Sequence, residues 1–216
     1  MTHYETVLFD LDGVLTDSKE GITKSIQYAL STVGIEVSDL QSLERMIGPP
    51  LRETFAEFYQ LQDERLHQAI LAYQERFADK GVYENRVYEG IEDLLKQLSN
   101  TRRKLFMATT KPTIFAQIIA DHFQIDQYFT EIVGSNIDGT MVDKTSLIAK
   151  ILNENKDVYK ETTVMIGDRK HDIIGAKNND IDSIGVCYGY GTLEEIKKAK
   201  PTSIAMTVKE LGQLLI

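Results

Sequence analysis

Cysteine is almost absent: Cys187 is the single one in 216 residues. No internal disulfide can form, which excludes a small secreted domain held together by disulfides. No Lys/Arg run offsets the acidic composition. There are 24 basic and 33 acidic residues, a formal net charge of −9, and a pI near 5.0. That sign argues against a nucleic-acid polymer or an anionic membrane as the main partner. Long apolar runs are missing too. Met1 to Glu5 is polar, and Val7-Leu8-Phe9 after it is only three residues long. That is neither a signal peptide nor a membrane span, so cytoplasm is the expected compartment. There is no internal repeat and no low-complexity segment.

What remains is the balance of an ordinary globular protein, 42% apolar and 26% charged, at a length that suits one large domain or two small ones. Val7-Leu8-Phe9, stopping at Asp10-Leu11-Asp12-Gly13, reads as a buried strand ending in a loop. From Lys19 to Lys80 the apolar residues fall at helical spacing, broken by Gly48-Pro49-Pro50. This predicts an all-helical unit of about four short helices. After Gly81, strands and helices alternate. Strands are predicted at Lys104 to Ala108, Glu131 to Gly134, Thr163 to Ile166, Asp182 to Val186 and Ser203 to Met206. The alternation implies a mostly parallel sheet covered on both faces, an α/β core carrying a helical insertion.

In open parallel sheets, chemistry collects at the carboxyl ends of the strands. Asp10, Asp12 and Gly13 follow the first strand there, Thr109, Thr110 and Lys111 the second, and Asp168 and Asp172 the fourth, while Lys144 opens a helix on the same side. If the first strand continues to Asp12, the Asp10 and Asp12 side chains share a face. Two carboxylates held close need a shared proton, a cation or a lysine. A calcium loop of the EF-hand kind does not fit, because its glycine belongs at position six. Asp168 and Asp172 can also be a helix cap and a first-turn acid. Taken with Asp10 and Asp12, they make an oxygen-rich cluster that suits Mg²⁺. Thr109 and Thr110 can hold phosphate oxygens or cap a helix. Lys144 alone reads as an ordinary exposed helix lysine; in a site with three carboxylates and a phosphoryl group it becomes the natural balancing charge. Tyr188-Gly189-Tyr190-Gly191 reads as a turn near the same edge, there for packing and loop geometry.

Four stretches carry a resemblance. They are Phe9 to Ser18 (Asp10-Leu11-Asp12-Gly13 within it), Ala108-Thr109-Thr110-Lys111-Pro112, Lys144, and Ile166 to Asp172. In this order, with a helical insertion after the first, they resemble the four motifs of the haloacid dehalogenase-like (HAD) hydrolases. The nearest subgroup is the phosphoglycolate phosphatases, and the Asp168 to Asp172 run with Gly189-Tyr190-Gly191 looks most like the 5′-nucleotidase-type members. One departure is that Lys144 is followed by Thr145, where relatives usually have proline, which leaves Lys111 as the reserve candidate.

The resemblance implies a Rossmann-like core, residues 1–15 and 82–216, with a helical cap at 16–81. It implies a Mg²⁺-dependent phosphatase acting on a small phosphorylated metabolite, as a monomer or homodimer. Asp10 would be the nucleophile and form an aspartyl-phosphate, and Asp12 the general acid and then base. Mg²⁺ would be held by Asp10, the Asp12 backbone carbonyl and Asp168, with Asp172 ordering its waters. Thr109 and Lys144 would hold phosphoryl oxygens, with Gly13 and Thr110 beside them. Asp12 favours phosphate esters, since dehalogenases and phosphonatases lack an Asp there. A phosphomutase, a pyrophosphatase and a phospho-Asp receiver switch are the alternatives. Specificity is expected from the cap, above all Arg52 after Gly48-Pro49-Pro50, with the two linkers acting as a hinge.

Overall fold

The computed structural model describes residues 4–138, 140–141 and 143–216. The chain forms two compact units, Met1–Thr16 with Val87–Ile216, and Asp17–Arg86.

The first unit begins with β1 (Thr6–Phe9), whose four residues are all buried. The chain leaves it through β2 (Thr16–Asp17). The second unit then builds α1 (Lys19–Thr32), a 3₁₀ turn at Leu40–Met46, α2 (Leu51–Tyr59), α3 (Asp63–Arg76) and a π-helical turn at Phe77–Gly81. Ile26, Leu30, Leu43, Phe55 and Phe77 are buried residues of this unit. The helical spacing read in the sequence is this set of faces.

The return runs through β3 (Arg86–Val87), and β2 and β3 pair as a two-stranded sheet. The units divide after Arg86 rather than after Gly81. The reason is local. The Glu84 carboxylate takes two hydrogen bonds from the Arg76 guanidinium, at 2.8 and 3.1 Å. Arg86 in turn pairs with Asp17 at 2.6 Å.

The first unit resumes with α4 (Ile91–Ser99), β4 (Lys104–Pro112), α5 (Thr113–His122) and β5 (Glu131–Ser135). Then come α6 (Lys144–Glu154), β6 (Thr163–Gly167), α7 (Lys170–Asn178) and β7 (Asp182–Val186). It closes with α8 (Leu193–Ala199), β8 (Ser203–Ala205) and α9 (Val208–Leu215). Six strands form one sheet in the order β5-β4-β1-β6-β7-β8, every pairing parallel. Leu8, Phe106, Ala108, Val133 and Met165 from the strands pack with Leu147, Ile148, Ile151 and Ala176 from α6 and α7. Residues like these, apolar along a strand without alternation, are what a sheet covered on both faces requires.

The topology places the site. β1 lies between β4 and β6, where the strand order reverses direction, and ligands bind at such switch points in open α/β sheets. The register brings the ends level: Phe9 stands opposite both Met107 and Ile166. β4 is irregular at its end, because Thr109, Thr110 and Lys111 stand against Gly134 alone. Irregularities of this kind re-aim side chains beside active sites.

One expectation needs correcting. β1 ends at Phe9 and does not continue to Asp12. The Leu11 carbonyl collects the N–H groups of Val14, Leu15 and Thr16, which curls the chain into a loop. Asp10 and Asp12 therefore do not share a strand face, and their carboxylates take different lysines.

Candidate active site

Asp10 is the first residue past β1. Its N–H donates to the Ile166 carbonyl at 3.0 Å, and its Oδ1 accepts from the Leu11 N–H at 2.8 Å. Lys144 is the first residue of α6, placed by Asp143, whose side chain caps the helix through the Ser146 N–H at 2.9 Å. Lys144 Nζ lies 2.8 Å from Asp10 Oδ1, 2.8 Å from Asp172 Oδ1 and 2.7 Å from the Ala108 carbonyl. An ammonium has three N–H donors, and three acceptors surround this one. To hold a phosphoryl oxygen as well, it must share or release one of them.

Asp12 is paired elsewhere: its Oδ2 lies 3.0 Å from Lys111 Nζ. Both lysines that the sequence left in contention are therefore at the site, on different carboxylates. Thr109 is buried, and its Oγ1 accepts from the Lys111 N–H at 3.3 Å. The Thr110 carbonyl accepts from Ser135 Oγ at 2.8 Å.

Asp168 follows β6 directly, and Asp172 lies in the first turn of α7. Asp168 Oδ2 accepts from the Tyr190 N–H at 2.6 Å, and Asp172 Oδ2 from the Arg169 N–H at 3.1 Å. Gly13 reaches the same place with φ +82°, and a Cβ there would sit 2.2 Å from Asp168 Oδ2. Only glycine allows both that backbone conformation and that approach. Its place is against the Asp168 carboxylate. Arg52 belongs to the other compact unit, where it is an exposed residue of α2.

The electrostatics describe a site short of positive charge. Four carboxylates, Asp10, Asp12, Asp168 and Asp172, meet two ammonium groups. Burial pushes Asp10 up to about 6, Lys144 draws it down, and Asp172 and Asp12 push it further up. Burial raises Asp168 well above the carboxylate range, and Asp172 and Asp10 add to the shift. Burial opposes the charge on Lys144, but Asp10 and Asp172 outweigh it and hold the ammonium above the ordinary lysine value.

These residues fit a metal ion. One carboxylate oxygen from each of Asp10, Asp168 and Asp172 lies within 4.8 Å of the others. Asp168 Oδ1 is buried with no hydrogen-bond partner. A buried carboxylate oxygen left unsatisfied is costly unless something binds it. An all-oxygen donor set selects a hard cation.

Sequence reasoning missed the groups that hold this cluster from a distance. Tyr190 was legible as part of a turn but not as a backbone donor to Asp168. Ala108, as a carbonyl acceptor, carries no sequence signal at all.

The fold agrees with the comparisons. Residues 7–186 match the family model described as haloacid dehalogenase-like hydrolase. The chain is 44% identical to a 5′-nucleotidase of Pseudomonas aeruginosa, over 98% of this chain and 96% of that protein. It is 36% identical to the tyrosine-protein kinase PtkA of Mycobacterium tuberculosis, over 98% of this chain and 72% of that one. The crystal structure of a predicted phosphatase from Clostridium acetobutylicum superposes with a TM-score of 0.94 at 45% identity, covering 99% of this chain and 98% of that one. The chain belongs to the haloacid dehalogenase-like hydrolases and is an enzyme of their phosphatase branch. No helix among the described residues is long and apolar enough to cross a membrane.

Proposed function

We propose that the protein is a Mg²⁺-dependent phosphomonoesterase that works through an aspartyl-phosphate on Asp10, with 5′-nucleoside monophosphates as its first substrate class. The observation that carries this reading is the cluster of Asp10, Asp168 and Asp172 at the end of the central strand, with Lys144 paired to Asp10 and Asp172. The substrate class follows the 44% identical relative, which bears the name 5′-nucleotidase. Phosphoglycolate is the second candidate, from the motif resemblance.

Asp10 attacks phosphorus with the carboxylate oxygen that faces the substrate. Lys144 keeps that carboxylate ionised and fixed. Asp12 gives its proton to the departing alcohol, and as a carboxylate it then takes one from the water that cleaves the acyl phosphate. Lys111, at 3.0 Å from Asp12, holds the side chain in place for both transfers. Thr109 donates to a phosphoryl oxygen. Asp168 and Asp172, with Asp10 and the Asp12 carbonyl, would hold Mg²⁺. Once bound, the ion supplies charge neutralisation at the transferring group.

A phosphate-release panel tests the substrate class. It should include 5′-nucleoside monophosphates, phosphoglycolate, pyrophosphate, sugar phosphates and p-nitrophenyl phosphate. The expected result is the highest kcat/KM for a nucleotide. Phosphoglycolate turned over faster would move the assignment to the other subgroup. Isomerisation of a sugar phosphate without release would indicate a mutase.

The metal makes a pH-dependent prediction. Metal-free, the raised Asp10 and Asp168 favour their protonated forms in the folded protein. The stability this gives is full below the ordinary carboxylate pKa of 3.8 and is lost as pH rises through about 6 for Asp10. A cation replaces those protons, so it stabilises more where the protons have left. The rise in Tm on adding Mg²⁺ should be several-fold larger at about pH 7.5 than at about pH 5. Equal rises at the two pH values would mean that these carboxylates do not hold the ion.

A further inference from the structure

We propose that Glu195 is a positioning residue that sets the metal affinity of the site from outside it. The inference rests on the reading of Asp168 and Asp172 as metal-holding carboxylates. Between those two residues lies the Arg169–His171 stretch, and Glu195 grips its first half. Glu195 Oε1 accepts from the Lys170 backbone N–H at 2.9 Å and from Arg169 Nε at 3.0 Å. One carboxylate oxygen thus fixes both the backbone and the side chain of the turn that separates the two acids.

The fixed turn passes the constraint on. Arg169 uses its own backbone N–H to hold Asp172 Oδ2. On the other side, the loop that leads to Glu195 holds Asp168. Tyr190 donates to Asp168 Oδ2, and Gly191 lies so close that a Cβ there would come within 1.8 Å of the Asp168 carbonyl. Glu195 is itself presented by a cap, since Thr192 Oγ1 accepts the Glu195 N–H at 3.1 Å. A single segment, Tyr188 to Glu195, therefore sets where both acids stand. Burial opposes the Glu195 charge, but the Lys170 N–H and the Arg169 guanidinium outweigh it and hold its pKa below the usual glutamate value. The carboxylate is ionised at neutral pH, and its bonds to Arg169 and Lys170 are charge-assisted.

Losing a bond made directly to a metal-holding group commonly changes affinity by about 10- to 100-fold; Glu195 acts one step further out, through Arg169, so the lower end of that range applies. The Tyr188-Gly189-Tyr190-Gly191 turn read in the sequence thus has a task beyond closing the loop.

The test is calorimetric titration of Mg²⁺ into the whole protein, with no substrate present. Glu195→Ala should raise the Mg²⁺ Kd by about 10-fold. Glu195→Gln keeps the shape and loses the charge, so its Kd should fall between wild type and Glu195→Ala. Glu194→Gln, an exposed neighbour, is the control and should match wild type. Melting without metal should change little for Glu195→Gln, which separates a shift in affinity from loss of the fold. If Glu195→Gln and Glu195→Ala both bind Mg²⁺ within about twofold of wild type, the positioning role is wrong while the metal site stands. If wild type itself binds no Mg²⁺, the reading of the site falls first and this inference with it. If Glu195→Ala does not fold, the Glu195→Gln Kd decides.

Discussion

Asp10→Asn lowers phosphate release by at least about 10⁴-fold, roughly 5.4 kcal/mol at 1.36 kcal/mol per decade. An amide cannot attack phosphorus and leave an acyl phosphate behind. The variant should still fold. Burial pushes Asp10 up to about 6, so at neutral pH its charge is held against a desolvation cost, and asparagine removes that cost. Lys144 keeps its contacts with Asp172 and the Ala108 carbonyl. The metal-free variant should therefore melt no lower than wild type by more than a few degrees, while activity is lost. Activity within tenfold of wild type would show that another group attacks phosphorus.

Lys144→Ala is the second large effect. Among the described residues, it removes the ammonium that touches both Asp10 and Asp172, and it leaves three carboxylates with oxygens within 4.8 Å of one another and that lysine gone. Removing one preorganised donor of positive charge costs about 10²–10³-fold in kcat. Stability should suffer as well, because breaking a buried pair strands the remaining charge, at about 3–5 kcal/mol. Both losses should shrink as Mg²⁺ is raised, since the ion supplies charge in the same place. Lys144→Arg should not rescue. A guanidinium is planar and wide, and the three acceptors here surround a point charge. Thermal melts and steady-state kinetics across a Mg²⁺ series check this. Full activity for Lys144→Ala would move the role to Lys111, 3.0 Å from Asp12.

Much of this arrangement was legible before the structure. The buried strand that stops before Asp10 comes from the short apolar run Val7-Leu8-Phe9. The alternation after Gly81 and the helical spacing before it come from periodicity, over stretches long enough to read. What escaped has physical reasons. β2 and β3 are two residues each, too short for any pattern, and their partners are nearly seventy residues apart in the chain. The continuation of β4 to Pro112 defied a strand reading because its last part has lost its register with β5. The loop after Phe9 is set by one carbonyl, that of Leu11, taking several N–H donors. Side-chain spacing cannot report a backbone acceptor, so Asp10 and Asp12 looked like a same-face pair. The carboxylates and lysines themselves were readable as residue types gathered at one sheet edge. Which lysine meets which acid was not, since β1, β4 and α6 bring them together from three distant parts of the chain.

The central claim is that Asp10 carries the phosphoryl group, and trapping it there tests the claim most directly. The protein is mixed with its best substrate from the panel and Mg²⁺, quenched in acid within a single turnover, and reduced with borohydride. Only an acylated aspartate is converted to homoserine, and peptide mass spectrometry locates it. The account predicts homoserine at residue 10, dependent on substrate and Mg²⁺, and absent from Asp10→Asn. Homoserine at residue 12, or rapid turnover with no converted aspartate at all, would contradict it.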